Sequence, residues 1–204
     1  MSQEVFQMIC EMDLKKLENQ LALQCAPLIM GKKVSNLLIV DAAEEGLVRA
    51  VMHNTGISVF RLLQHQDKIT FLLFRRKELE VCLNRKEVKD FLVGQGYSEL
   101  SLGKILLDFK TRYDEYMKKG EHFPHEMGLL LGYPVEDVRG FMENKGEKFL
   151  YSGYWKVYAN LPAKLRLFEQ YEQAREEMIQ QIAGGTDIRA LIHNSHEQIL
   201  RKAV

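Results

Sequence analysis

The sequence has no surplus of charge of either sign, because 28 Lys and Arg side chains are matched by 28 Asp and Glu. Proteins that bind nucleic acid rely on a strong basic excess to neutralise phosphates. The balanced composition therefore argues against nucleic acid as a partner. Small basic clusters such as LFRRK at 73–77 are typical of a solvated surface.

Long apolar runs and paired cysteines are also lacking. The longest apolar stretches, such as NLLIV and FLLF, are too short to cross a bilayer. The N-terminus does not have the composition of a secretory signal. The three cysteines, Cys10, Cys25 and Cys82, are widely separated and form no CxxC pair. These features predict reduced thiols in a cytoplasmic protein that does not associate with membranes.

The common phosphate, hydrolase and metal signatures are missing too. No G-x-G-x-x-G, GxxxxGK[ST] or G-x-S-x-G pattern occurs. His125-Glu126 begins like the zinc-binding HExxH, but Leu129 occupies the place of the second histidine. Zinc needs three or four ligands in fixed geometry. We therefore predict no metal site and no cofactor.

What the sequence does contain is the composition of a globular protein, with 46% hydrophobic and 27% charged residues. β-branched and aromatic residues predict a hairpin over 57–75 and strands near 36–40 and 149–158. Helical periodicity fills most of the remainder. The prediction is an α+β fold, with a small, mainly antiparallel sheet packed with several helices and a helical C-terminal extension. Residues 1–185 are expected to form a single α+β domain, and 186–204 a C-terminal helix that packs on it or on a partner.

Single residues set several expected helix limits. Pro27 is predicted to end the first helix, since the residue before a proline disfavours the helical conformation. Ser98 is a candidate cap for a following helix that places Leu102, Ile105, Leu106, Phe109 and Tyr113 on one face. Pro124, Gly132 and Pro134 predict two short helices joined by a tight turn.

Some polar side chains are required neither by a turn nor by a strand. They lie around this turn, over 123–141, and on the strand 153–158. These side chains are of the types that transfer protons or bind ligands. We expect a polar surface there, and alanine at His125, Glu126 or Lys156 should leave the melting temperature nearly unchanged. The alternative is that the acids stabilise a helix N-terminus and the strand residues form a solvated face. The candidate binding residues are Arg112, His125, Glu126, Tyr133, Asp137, Lys156 and Tyr158.

Cys25 is a further candidate, as a nucleophile or a thiolate ligand. Its predicted place at a helix end would raise the pKa of the thiol, whereas activation needs a lowered one. Cys10 and Cys82 fall within helical patterns and are expected in the core.

The segment FPHEMGLLLGYPVEDVRGFMENKG, followed by SGYWKVY, resembles the signature of a bacterial family known as domain of unknown function 3793. CAPLIMGKKVSNL at 25–37 and the Gly96-Tyr97 turn resemble further family segments, so the similarity extends from about Leu21 to Tyr171. Met30 with Lys32-Lys33 departs from the family pattern. The resemblance implies no activity, substrate or cofactor. It draws attention to Cys25, Pro27, Arg112, Phe123, Pro124, His125, Glu126, Gly128, Gly132, Tyr133, Pro134, Asp137, Gly140, Trp155, Lys156 and Tyr158.

Three functions remain open on the sequence. The first is a protein that binds a small molecule or a protein through the polar surface. The second is an enzyme that acts on a small anionic or carbonyl metabolite by acid–base chemistry. The third is a protein-interaction module with an exposed apolar patch. Ile188, Leu191, Ile192 and Ile199 form a stripe that would suit a homodimer through the C-terminal helices.

Overall fold

The computed structural model describes residues 2–202 and confirms an α+β fold. The chain divides into two compact units. Unit 1 contains the chain up to Arg76 together with the part from Glu169 onward, and unit 2 is Lys77–Phe168. The predicted single domain over 1–185 stays a prediction.

Unit 1 is built on an antiparallel three-stranded sheet with the order β1-β3-β2. The strands are β1 (Ser35–Asp41), β2 (Ile57–His65) and β3 (Lys68–Arg75). The predicted hairpin is confirmed, with Gln66 in the left-handed conformation at its turn. Because β3 lies in the centre, Phe71, Leu72 and Leu73 are almost fully buried.

Helices cover this sheet and complete the core of unit 1. They are α1 (Gln3–Glu11), α2 (Leu17–Ile29), α3 (Glu45–Met52, after a 3₁₀ turn Ala42–Glu44), the later part of α9 (Leu161–Ala183) and α10 (Ile188–Lys202). Met178, Ile179, Leu191 and Ile192 all join the buried cluster formed with the sheet. Two of the four apolar residues in the C-terminal stripe are thus buried within the chain.

The prediction that Pro27 ends the first helix is wrong. Residues 3–24 form two helices, and α2 continues through Pro27 to Ile29. A proline inside a helix removes one backbone hydrogen bond. Burial of Ala26, Leu28 and Ile29 in the core offsets that cost.

Unit 2 is mainly helical. Its helices are α4 (Arg76–Leu83, which begins at the boundary), α5 (Lys86–Gly94), α6 (Leu102–Lys119), α7 (Met127–Leu130), α8 (Val135–Glu143) and the first turns of α9. Ser101, not Ser98, is the residue before α6. Gly120 ends α6 in the left-handed conformation that glycine adopts easily.

The segment predicted as a strand over 149–158 forms a sheet of its own. It is a hairpin of β4 (Tyr151–Ser152) and β5 (Lys156–Val157), separate from the sheet of unit 1. The turn between them contains Gly153, where a Cβ would lie 2.5 Å from the Phe168 ring. This close approach explains why a glycine interrupts an otherwise strand-like sequence.

Candidate functional site

The helical elbow is the pair of short helices α7 and α8 with the turn between them. Gly132 makes the turn with φ +75°, as predicted, and Pro134 directly precedes α8. A Cβ at Gly128 would lie 2.8 Å from Cγ2 of Val138. The two helices therefore pack too closely for a larger residue at this position.

The elbow packs against the β4–β5 hairpin through Trp155. The Trp155 ring stacks on Tyr133, with the ring centroids 4.7 Å apart, and meets Phe168 edge-on. Its indole Nε1–H donates to Oδ2 of Asp137 over 2.8 Å. The structure thus brings together the two segments that the sequence singles out.

Asp137 is the anchor of this arrangement. Only 2% of it is exposed, and its second oxygen accepts the backbone N–H groups of Tyr158 at 2.8 Å and Ala159 at 3.2 Å. The Lys164 ammonium lies 3.9 Å from Oδ2. Since a buried carboxylate is stable only when it is paired and hydrogen-bonded, these contacts identify Asp137 as a structural residue.

Lys164 also forms an ion pair with Glu136, the residue before Asp137. Its Nζ lies 2.7 Å from Oε1 of Glu136. Burial opposes the ionisation of Glu136, but the Lys164 hydrogen bond and the nearby Arg85 charge hold its pKa below the ordinary value. Two cations therefore face two carboxylates at the start of α8.

Glu126 anchors the other end of the elbow. It is 1% exposed and accepts a hydrogen bond from the Tyr97 hydroxyl at 2.9 Å. Arg112 reaches the same oxygen at 3.4 Å while its guanidinium lies over the Tyr97 ring, 4.4 Å from the centroid. Burial and the negative Glu126 raise the pKa of Tyr97 well above its usual range. The hydroxyl therefore stays protonated and holds the carboxylate.

A cavity of about 370 Å³ lies between the elbow and the hairpin. Most of its wall is aromatic or aliphatic, which is typical of ligand pockets. The lining residues are Phe123, His125, Met127, Gly128, Leu131, Tyr133, Asp137, Val138, Phe141, Tyr154, Trp155 and Lys156.

His125 lines this cavity between two aromatic rings. The centroid of its imidazole lies 5.3 Å from that of Phe123 and 5.7 Å from that of Phe141. Burial lowers the pKa of the imidazole, although the negative Glu126 acts in the opposite direction. The ring is therefore neutral at pH 7, and its ionisation lies below the usual range.

Lys156 brings a cation to the cavity. Its Nζ donates to the Gly146 carbonyl at 2.7 Å and lies near the faces of two rings, Phe149 at 4.9 Å and Phe141 at 5.8 Å. These contacts hold the ammonium in place next to apolar wall.

The two candidate tyrosines, Tyr133 and Tyr158, have different positions relative to the cavity. Tyr133 lines the cavity, its hydroxyl donates to the Tyr154 carbonyl at 3.5 Å, and burial raises its pKa. Tyr158 packs on Gly140, where a Cβ would lie 2.4 Å from its ring. Its hydroxyl is buried with no hydrogen-bond partner among residues 2–202. Its position is explained by packing.

Cys25 belongs to unit 1, where it is fully buried in the core. Its Sγ lies 3.7 Å from the Leu37 carbonyl. Burial raises the pKa of the thiol to about 12, against smaller opposing effects from Lys33 and Asn36. Such a thiol is almost entirely protonated at pH 7, which disfavours a role as nucleophile or thiolate ligand.

Two residues that matter for this geometry, Tyr97 and Lys164, were not among the sequence candidates. Tyr97 could have been found from the Gly96-Tyr97 turn in the family resemblance. Lys164 carries no local signal, because its partners Glu136 and Asp137 lie almost thirty positions earlier in the sequence.

Two searches cover the part of the chain that the structure describes. Within residues 2–202, no three His, Cys, Asp or Glu side chains are grouped so that they could hold a metal ion. No helix in that range is both long enough and apolar enough to span a bilayer.

Comparison with known proteins identifies the family to which the chain belongs. A family model described as "Protein of unknown function (DUF3793)" matches residues 21–192. This range includes the elbow, the hairpin and every candidate residue. No curated protein and no solved structure matches.

Proposed function

We propose that this chain, which belongs to the DUF3793 family of proteins of unknown function, binds a small molecule with an aromatic or flat apolar body in the cavity between the elbow and the hairpin. The observation that supports this proposal is the cavity wall itself. Its volume of about 370 Å³ falls within the range of ligand pockets. Phe123, Tyr133, Phe141 and Trp155 present large apolar surfaces to an occupant.

The buried hydrogen bonds behind this wall favour a preformed site. Asp137 fixes Trp155, and Glu126 fixes the first helix of the elbow through Tyr97 and Arg112. Since neither carboxylate has to reorganise when a ligand arrives, binding would cost little conformational entropy.

Acid–base catalysis at the same cavity has weaker support. Of the two buried carboxylates among the candidates, Asp137 already accepts three hydrogen bonds and Glu126 accepts two. Of the remaining candidates, His125 has the side chain that most often transfers protons in enzymes, and burial lowers its pKa. An enzyme would have to work with this single imidazole.

A protein partner and a homodimer also stay as predictions. Phe149 and Leu150, just before the hairpin, and Tyr151 at its start are exposed, and such a patch would suit a protein partner. Burial of Leu191 and Ile192 leaves Leu200 as an exposed apolar residue on α10.

We also place the protein in the cytoplasm as part of this proposal, which the free thiols of Cys10, Cys25 and Cys82 support.

The test of small-molecule binding is a calorimetric titration with two flat probes, 2-naphthamide and 2-naphthoate. At least one should bind with one-to-one stoichiometry and a Kd on the order of 100 µM, as expected for a fragment of this size. The single tryptophan is part of the wall. The indole N–H signal of Trp155 in a ¹⁵N-correlated NMR spectrum should therefore shift on binding.

A cavity-filling variant provides the control. Leu131→Phe adds volume at a lining position, whereas Leu107→Phe makes the same change at an exposed position on α6. The first should weaken binding at least tenfold and the second should leave it unchanged, with both variants folded by circular dichroism. Absence of binding of both probes to the wild-type protein would refute the proposal.

A further inference from the structure

Within residues 2–202, the charges at the cavity are not all balanced by partners. Asp137, the acidic residue of the wall, has three N–H donors and the Lys164 ammonium around its carboxylate. Glu136, beside it, has Lys164 and Arg85. The negative charges on this side are therefore compensated before any ligand enters.

Lys156 is in a different situation. Across residues 2–202, its ammonium forms no ion pair with a carboxylate, and its hydrogen bond goes to the neutral Gly146 carbonyl. An ammonium has three N–H donors, so two remain for solvent or a ligand. Since the neighbouring His125 is uncharged at neutral pH, Lys156 carries the uncompensated charge of the wall.

The position of this ammonium is set by the backbone. Gly146 follows α8 with φ +76°, and its N–H returns to the Phe141 carbonyl at 2.8 Å. A Cβ at Gly146 would lie 3.1 Å from the Phe141 ring and 3.5 Å from the Lys156 amine. The helix end, the ring and the amine thus form one packed unit, which holds the charge at the edge of the aromatic wall.

From this juxtaposition we infer that the cavity selects a singly charged anion with an aromatic body, and that Lys156 is the residue that recognises its anionic group. This inference rests on the proposed small-molecule function and specifies its ligand class. An aromatic carboxylate fits the arrangement: its ring would face Trp155 and Phe141, and its oxygens would accept the two remaining N–H groups of Lys156.

A phosphate dianion fits less well. Phosphate sites usually combine several cations or backbone N–H groups. Among the described residues, the lining of this cavity includes one lysine and no arginine. One ammonium matches one negative charge, so a monoanion is the better complement.

The test compares two probes of the same shape, 2-naphthoate and its neutral amide 2-naphthamide. We expect wild-type protein to bind the carboxylate about tenfold more tightly than the amide, because the Lys156 ammonium bonds a charged acceptor more strongly than a neutral one. Phenyl phosphate, a dianion at pH 8, should bind more weakly than 2-naphthoate. Added salt should reduce the preference for the carboxylate.

Variants at Lys156 separate its charge from its packing. Lys156→Met keeps an apolar stem of similar length without the ammonium and should make the two Kd values equal within about twofold, by weakening 2-naphthoate alone. Lys156→Arg should retain part of the preference. Lys119→Met, at an exposed site on α6 outside the cavity wall, should behave as wild type.

The outcomes separate the two proposals. Equal affinities of the two probes in the wild-type protein, or a preference that survives Lys156→Met, would overturn the role of Lys156 and leave small-molecule binding in place. Failure of both probes to bind would refute the proposed function itself, and the inference with it.

Discussion

Trp155 donates its indole N–H to the Asp137 carboxylate over 2.8 Å, and this hydrogen bond ties the hairpin to the start of α8. The same carboxylate accepts the backbone of Tyr158 and Ala159 after β5. One side chain thus fixes both the aromatic wall of the cavity and the chain that leaves it. Its negative charge stabilises this junction because the donors surround it in a buried place.

Replacing Asp137 by Asn should destabilise the protein by about 2–4 kcal/mol, because the amide group would put a donor against the donors that the carboxylate accepts. Urea unfolding followed by circular dichroism measures the loss. Asp114→Asn, which removes a partly exposed i,i+4 ion pair with Lys118, is the control and should change stability by less than about 0.5 kcal/mol. Equal losses in the two variants would contradict the anchoring role.

Glu126→Gln should cost about 1–3 kcal/mol, since it leaves the Arg112 charge uncompensated beside a buried amide. This replaces the expectation from the sequence that alanine at Glu126 would leave the melting temperature unchanged. For His125 and Lys156, which are only partly buried, that expectation stands. Thermal unfolding checks both statements. Glu121→Gln at an exposed position is the matched control.

The two glycines Gly140 and Gly103 should respond to alanine with opposite signs, although both lie in helices. At Gly140 the new Cβ would lie 2.4 Å from the Tyr158 ring, and we expect a net loss of about 1–2 kcal/mol from overpacking. At Gly103 no atom that the structure describes in residues 2–202 would lie within 4 Å of the new Cβ, so the higher helix propensity of alanine should add about 0.5–1 kcal/mol. Chemical unfolding of both variants measures the two changes in the free energy of unfolding. If Gly140→Ala stabilised the protein, the close packing of Gly140 against the Tyr158 ring would be contradicted.

The stability of the protein should carry a pH dependence that comes from His125. Because burial lowers its pKa in the folded state, the unfolded chain binds a proton more readily. Stability from this group is therefore complete above the unfolded pKa of about 6.5 and declines as the pH falls below it. The melting temperature of His125→Gln should decrease less than that of wild type between pH 7 and pH 5. Parallel curves would contradict the depressed pKa.

Cys25 should resist alkylation in the native protein at pH 8. The thiol is buried and its pKa is raised to about 12, so little thiolate is present and reagent has no access. Cys10 is exposed, so the prediction from the sequence that it lies in the core is wrong. Mass-spectrometric mapping after iodoacetamide treatment should therefore show modification at Cys10 before any at Cys25. Unfolding in urea should remove the difference. Rapid native modification of Cys25 would restore it as a candidate nucleophile.

The secondary structure follows largely from local patterns. The hairpin β2–β3, the strand β1 and the long helix α9 were predictable because alternation and helical periodicity describe which faces of each element are buried. The turn at Gly132-Tyr133-Pro134 was predictable because glycine and proline restrict the backbone locally. Pro27 shows the limit of this reasoning, since core packing keeps α2 helical beyond a residue that usually ends a helix.

By itself, the sequence determined the element types, the helical elbow and the group of segments in which a site should lie, because these depend on near neighbours in the chain. Only the tertiary structure decided that Asp137 and Glu126 are buried anchors, and that no carboxylate among the described residues 2–202 balances Lys156. The reason is physical: the charge and reactivity of a side chain depend on burial and on partners such as Trp155, Tyr97 and Lys164. Those partners come from distant parts of the chain, and folding alone brings them together.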